Sequence, residues 1–560
     1  MSTSLKLKKM LNPLFLLTLA LFVFSTSLQA ATTIVPLGTS IQNAINAAAS
    51  GDTLQLQAGT YQLTNTPPFR DLQVINKNLT IQGAGRDSTI IVAPSAAPLA
   101  QFFNYLGLRF YCVMMVVNQN LPTPQTVNIL DLTVDGGTQM DSAPFFYNAI
   151  NRFYAIGYSN ADGTVRNVHT RSTRQFGTVT ANSGGGITNA SAPGVVNFNV
   201  ENCLVDTYQR EGIVCRGDGV TANVTNCVVN RSYILPFGVN PIVPNGIVFN
   251  DRTGGTITGN TVELNLSSNL LAAGSGIIVN TGDTNILISG NNLTNNDSSI
   301  VGIQCLTNLT ITNNIINYNT PPPRQESAGI SIQQPLGLTT ISDNTINNVQ
   351  TGLELVSTLA NRPFDLSNNQ INFTNSGIQI FGGGAVGPVV TMNGDAFTDA
   401  STYYIQELSA PNDVWPSTAT VSFDGLVSGY ISFAQFNQLL TKIFDQNNDP
   451  ALGLVLDFIQ PFDPAPPTDF VGVIKKNKFL NDTSLYVEMT WKPSPAPNVA
   501  AYKIYQDGVY IALVTPLYLH YIAEIHDKHE ATDFEISTLS TADTESTRLP
   551  ITIVHKNKKD

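Results

Sequence analysis

A four-residue phrase, Gly followed by Ile or Leu, a variable residue and another residue that is usually apolar, recurs through the middle of the chain. It is seen at Gly212-Ile213-Val214-Cys215, Gly246-Ile247-Val248-Phe249, Gly276-Ile277-Ile278-Val279, Gly302-Ile303-Gln304-Cys305, Gly329-Ile330-Ser331-Ile332, Gly352-Leu353-Glu354-Leu355 and Gly377-Ile378-Gln379-Ile380. Successive glycines lie 34, 30, 26, 27, 23 and 25 residues apart. Between them runs a second phrase, apolar-(Ser/Thr)-x-Asn-x-apolar, whose Asn positions are Asn260, Asn291, Asn314, Asn344 and Asn369. Two phrases of different design sharing one period imply a coil of strands, each turn about the length of one solenoid rung.

In such a coil neighbouring rungs stack at ~4.8 Å, so each residue lies over its equivalent one turn earlier. Strand alternation then sends Ile213, Ile247, Ile277 and Ile303 inward as one file, and Val214, Val248, Ile278, Gln304, Ser331, Glu354 and Gln379 outward. An Asn repeated at a bend can bond both to main chain and to the next Asn, so this column is structural.

The first thirty residues carry Lys6, Lys8 and Lys9, an apolar run from Leu11 to Leu28, and Ala30 before a polar sequence. This is the pattern of a secretory signal peptide, which predicts a secreted, periplasmic or cell-surface protein. Loss of those three lysines takes the formal net charge from −12 to −15. A surface this acidic repels polyanions, so nucleic acid is an unfavourable partner, and an anionic sugar would need a bridging cation such as Ca²⁺. No later segment is apolar enough to span a bilayer.

Ser40 precedes an amphipathic stretch, Ile41 to Ala49, expected to form a short helix plugging the open end of the coil. The phrases Gly51 to Tyr61 and Leu79 to Gly85 then lead into the first rungs. With the rungs through about 400, these features resemble the pectate-lyase-like superfamily of right-handed parallel β-helices. The resemblance implies the fold but not one chemistry, since that superfamily includes lyases, hydrolases, esterases, epimerases, phage tailspikes and proteins without known activity.

Beyond the coil, Ser432 to Ile443 has helical spacing and is expected to cap its far end. Asp424 to Gln435 imitates a calcium loop, but Leu426 and Gln435 occupy ligand positions. Pro461 to Pro467 reads as a linker. Trp491-Lys492-Pro493-Ser494, with Ala501-Tyr502-Lys503-Ile504-Tyr505 and the Asp507-Gly508 turn, resembles a fibronectin type III domain. His520, His526 and His529 lie in a poorly patterned stretch and read as solvated rather than metal-binding. The expected organisation is therefore all-β: a signal peptide at 1–30, a right-handed single-stranded parallel β-helix at 31–400, a cap and linker at 401–464, and a fibronectin-type-III-like β-sandwich at 465–556.

Long insertions between rungs are where a solenoid can grow a site, and here they fall between residues 100 and 250. Phe145, Tyr147, Tyr154 and Tyr233 could stack on sugar rings from such loops, or fold back over the outward apolar strip. The densest charge lies at Asp206, Arg210, Glu211, Arg216, Asp218, Arg231, Asp251 and Arg252. This set is compatible with an acid and base pair, with Ca²⁺ ligands beside an Arg that removes a proton, or with salt-bridged turns. Asp206, Asn230 and Glu263 are expected in one outward column. The coil's one histidine, His169, reads as a turn residue. Cys203 and Cys227 replace Asn at the bend one turn apart, where either stacked thiols or a disulfide would fit.

The sequence thus supports two functions. One is a secreted polysaccharide-directed protein, a lyase or glycoside hydrolase acting on an acidic polysaccharide, with Ca²⁺ as the cofactor of a lyase. The other is a non-enzymatic extracellular or envelope rod that binds glycans or proteins.

Overall fold

The computed structural model describes residues 30–554 apart from 65–70, 96–97, 120–124, 143–145, 176–182, 193, 232–242, 268–272, 283–284, 320–326, 358–362, 383–388, 394, 399–402, 410–418, 425–442, 446–453, 459–463, 480–481, 497–498 and 542–543. The chain divides into two compact units, Met1–Tyr208 and Gln209–Asp560.

In the first unit, strands Thr32–Val35, Thr53–Leu56, Leu79–Gln82, Gln125–Leu130, Ala161–Arg166 and Val196–Glu201 stack in parallel. Their register sets Leu54, Ile81, Ile129, Val165 and Val200 in one file, and every member is fully buried. Helix Ile41–Ala47 covers the entry end. Its N-cap Ser40 accepts from the Asn43 amide at 3.2 Å, and Ile41 and Ile45 form its buried face. A second parallel sheet holds the three-residue strands Thr133–Asp135, His169–Arg171 and Leu204–Asp206 and the long strands Leu108–Val117 and Asn151–Ser159.

In the second unit the long strands Glu211–Arg216, Asn245–Asn250, Ser275–Asn280, Ser298–Ile303 and Ala328–Gln333 stack in parallel. The inner file runs Ile213, Ile247, Ile277, Ile300, Ile330, Leu353, Ile378, all fully buried.

That file corrects one rung of the sequence alignment. Ile300, not Ile303, stacks on Ile277, and Ile303 is the half-buried last residue of its strand, opposite Asn280. Ser299 takes the place the glycines hold in neighbouring rungs. Gly302 falls opposite Val279 and Ile332, where a Cβ would lie 2.8 Å from the Leu309 side chain and 3.0 Å from that of Ile332, so its neighbours already fill the space. For the same reason the outward residue of this rung is Val301, not Gln304.

The Asn column is as expected. Asn260 Oδ1 accepts from the Cys227 amide; Asn291, Asn314, Asn344 and Asn369 each accept through Oδ1 from the amide and Nδ2 of the Asn one rung earlier, and Asp395 closes the series. The residues before them, Gly259, Gly290, Asn313, Asp343 and Asn368, have φ between 55° and 66°, so the bend uses residues that tolerate the left-handed region.

The stacked strands continue past residue 400, through Tyr403–Ser409, Ala419–Asp424, Ile443–Asp445 and Leu454–Phe458. Asp424 and Ile443 are thus strand residues. The cap helix and calcium-loop resemblance between them, the signal segment and Pro461 to Asp463 lie outside the described residues. The fold is a right-handed parallel β-helix followed by a separate β domain.

That domain has two sheets. Thr468–Phe479, Asp482–Lys492 and His520–Ile525 pair antiparallel, with Thr552–Ile553 added in parallel. Val509–Val514, Val499–Gln506, Phe534–Ser540 and Leu549–Pro550 form the other sheet, antiparallel throughout. Phe470, Val487, Trp491, Tyr502, Ile504, Phe534 and Ile536 fill its core.

Candidate functional site

In the strands Thr133–Asp135, His169–Arg171 and Leu204–Asp206 the middle residue points inward and its neighbours point the other way, where Thr133 and His169 are nonetheless buried. Val134, Thr170 and Val205 are the buried file, with His169 opposite Leu204 and Arg171 opposite Asp135. His169, first in its strand, therefore lies diagonal to Asp206, last in the next, and His169 Nε2 is 2.8 Å from Asp206 Oδ2. Thr207 Oγ1 donates to Asp206 Oδ1 at 2.8 Å and accepts from the Ser172 amide at 2.7 Å. Arg171 Nε binds Asp135 Oδ2 at 2.7 Å.

Thr207 has φ 46° and Ser172 φ 57°. A β-branched residue in this region costs about 1–2 kcal/mol, and here the hydroxyl is bonded on both sides. Burial raises the Asp206 pKa, but hydrogen bonds from His169 and Thr207 and the charges of His169 and Arg171 outweigh it, leaving the carboxyl below its ordinary range. Asp206 is thus an ionised acceptor. A neutral imidazole giving its Nε2 proton to that carboxylate leaves Nδ1 as a base. The His169 side chain is 11% exposed and Arg171 38%.

From sequence Asp206 stands among the candidate charges and His169 reads as a turn residue. His169 is instead a strand residue oriented by a carboxylate 37 positions away. The missing signal was the diagonal register of the short strands.

The other predicted charges do different work. Glu211 is buried and binds Arg216 at 2.9 Å, with Arg210 Nε 3.8 Å away. Arg231 is buried and donates to the Leu266 carbonyl at 2.8 Å. Asp251 and Arg252 form a tight turn with φ 53° and 70°, and Arg252 reaches Asp218 at 3.5 Å with both half exposed. Asn230 and Glu263 do share a column, joined at 2.9 Å.

The aromatic expectation is corrected for two residues. Tyr147 and Tyr154 are not surface platforms but buried, at 0% and 1% exposure. Tyr147 packs against Tyr111, Phe146 and Phe153, accepts from the Leu99 amide, and donates to Gln139 Oε1. Burial pushes its phenol far above the ordinary range. These rings cover the long strands, because an apolar outer face must be buried as the inner one is. Phe145 and Tyr233 lie outside the described residues.

No disulfide joins Cys203 to Cys227; both are buried thiols, as are Cys112, Cys215 and Cys305. Cys203 Sγ lies 3.4 Å from the Val165 carbonyl, and Cys227 Sγ 3.4 Å from that of Thr225.

Among the described residues no three His, Cys, Asp or Glu side chains gather as a metal site, and no helix is long and apolar enough to cross a membrane. His520, His526 and His529 are exposed. Two clefts, of about 420 and 270 Å³, flank the cap helix at Gln42 and include neither His169 nor Asp206.

Residues 245–418 match the family model described as right handed beta helix region. No curated protein matches the sequence. Among solved structures, the chain is similar to the tailspike protein of E. coli bacteriophage HK620 in complex with a pentasaccharide (TM-score 0.44, 11% identity, 91% of this chain and 88% of that one). It is also similar to a mannuronic-acid-specific polysaccharide family 6 lyase from human gut microbiota (0.41, 11%, 77% and 91%). A third is the Azotobacter vinelandii mannuronan C-5 epimerase AlgE6 A-module (0.35, 14%, 66% and 94%).

Proposed function

We propose that the protein is exported and directed at an acidic polysaccharide, with a lyase-type centre at His169 and Asp206. The observation that carries this reading is the 2.8 Å contact between His169 Nε2 and Asp206 Oδ2 on an outward strip beside the half-exposed Arg171. A base held by a carboxylate next to a guanidinium suits removal of the proton α to a uronate carboxylate. His169 Nδ1 takes that proton, Arg171 offsets the substrate charge, and the bond from the β-carbon to the glycosidic oxygen breaks. The ring keeps a new C=C bond, and the departing oxygen takes a proton from solvent. Rungs repeating at ~4.8 Å suit a linear polymer, and the resemblance to pectate-lyase-like proteins supports the substrate class. Ca²⁺ belongs to this proposal only as a bridge to the sugar's carboxylates, because the described residues gather no site of their own for it, and no step is routed through it.

Incubation of the protein with uronate polymers, with and without Ca²⁺, tests the reading. Unsaturated products absorbing in the ultraviolet are expected, and His169→Gln should remove them while leaving circular dichroism unchanged. Full turnover in His169→Gln would sink the assignment.

The second reading, a non-enzymatic glycan binder, is favoured by the mutual satisfaction of the charges: Glu211 with Arg216 and Asp135 with Arg171 are pairs a purely structural corner would also contain. Retained glycan binding with no products across a broad panel would decide for it. In either reading the C-terminal domain is a fibronectin-type-III-like module. What supports this is its strand order, with first, second and fifth strands in one sheet, third, fourth, sixth and seventh in the other, and the short eighth strand added to the first sheet.

A further inference from the structure

The strand Val509–Val514 is the edge of its sheet in the C-terminal domain, bonded to Val499–Gln506 on one side. It is unusually apolar for an edge. Val509 is 65% exposed, Tyr510 51%, Ile511 38% and Leu513 54%, and Leu517 and Tyr518, just after it, are 89% and 60% exposed. From Val509 to Tyr518 there is no charged residue, although Asp507 precedes the stretch and Glu524 follows it. Folded proteins ordinarily blunt such an edge with a charge, most often Lys, because its unpaired amides and carbonyls are a template for another strand.

We propose that this edge is the dimer interface of the protein, pairing antiparallel with the same strand of a second copy. Three observations choose a second copy. The strand is apolar from Val509 to Val514, so antiparallel pairing with its own copy sets apolar residues against apolar ones on both sides of the bulge at Ile511. The chain carries a net charge of −12, so two copies repel over most of their surface and approach best where charge is absent. The exposed parts of the six side chains amount to ~700 Å², close to the roughly 800 Å² each partner contributes to a standard interface. A two-fold axis closes the assembly at two copies, because each edge is used once.

Light scattering on the size-fractionated full chain, from about 1 to 100 µM, tests this at concentrations where interfaces of this size hold. A dimer is expected, and Ile511→Lys and Leu513→Lys, each at an exposed position, should raise its dissociation constant at least ~100-fold while leaving circular dichroism unchanged. Val195→Lys, at a position 76% exposed in the other unit, should leave the dimer intact. A monomer throughout that range, or a dimer that survives both edge lysines, overturns the proposal. Because none of these residues belongs to the His169 site, failure here leaves the catalytic reading untouched.

Discussion

His169 Nε2 lies 2.8 Å from Asp206 Oδ2, joining residues on successive three-residue strands. The pair makes stability depend on pH. With the Asp206 carboxyl held below its ordinary range, the folded state gains from its ionisation above the unfolded carboxylate value of about 3.9, and that gain disappears as pH falls through the lower folded value. Partial exposure of the group keeps the effect small. Asp206→Asn should lower Tm by roughly 1–3 °C at pH 7, a difference that should shrink as pH falls below about 3.9. A pH-independent difference in melting scans would argue against an ionised Asp206 acceptor.

The register of the rung at Ser298–Ile303 can be read from two alanines. Ile300 is fully buried in the inner file and Ile303 half exposed at the strand end. Ile300→Ala should cost about 2–5 kcal/mol in urea unfolding and Ile303→Ala under about 1. The reverse order would restore the alignment of the Gly302 phrase.

Tyr147 separates covering from sugar stacking. Tyr147→Ala should destabilise by about 3–5 kcal/mol, since it empties a closed aromatic cluster. Tyr147→Phe should cost about 1–3 kcal/mol, through the loss of its hydrogen bonds with the Leu99 amide and Gln139 Oε1. Glycan affinity of the folded Phe variant, measured by calorimetry, should equal that of the wild type.

Five buried thiols outside any disulfide give a chemical signature. Burial pushes the Cys305 thiol up to about 11 and also raises those of Cys112 and Cys215. The native protein should therefore react negligibly with a disulfide reagent at pH 8, and the unfolded protein should release five equivalents. Dithiothreitol should leave Tm unchanged, and a drop would reveal a bridge.

The sequence by itself determined the rungs, the Asn column and the N-terminal plug, because stacking at one spacing forces equivalent residues into files and a period is visible in linear text. Ile213, Ile247 and Ile277 could be placed inward from alternation alone. Only the tertiary structure decided what depends on register or on what lies over a surface. Ser299 for Gly moved one rung by three residues, Tyr147 went inside because it packs on Tyr111 and Phe153 of the long strands, and His169 met Asp206 because two short strands stack with their ends diagonal. Those outcomes rest on contacts between residues some 20 to 50 positions apart, whose partners no local pattern names.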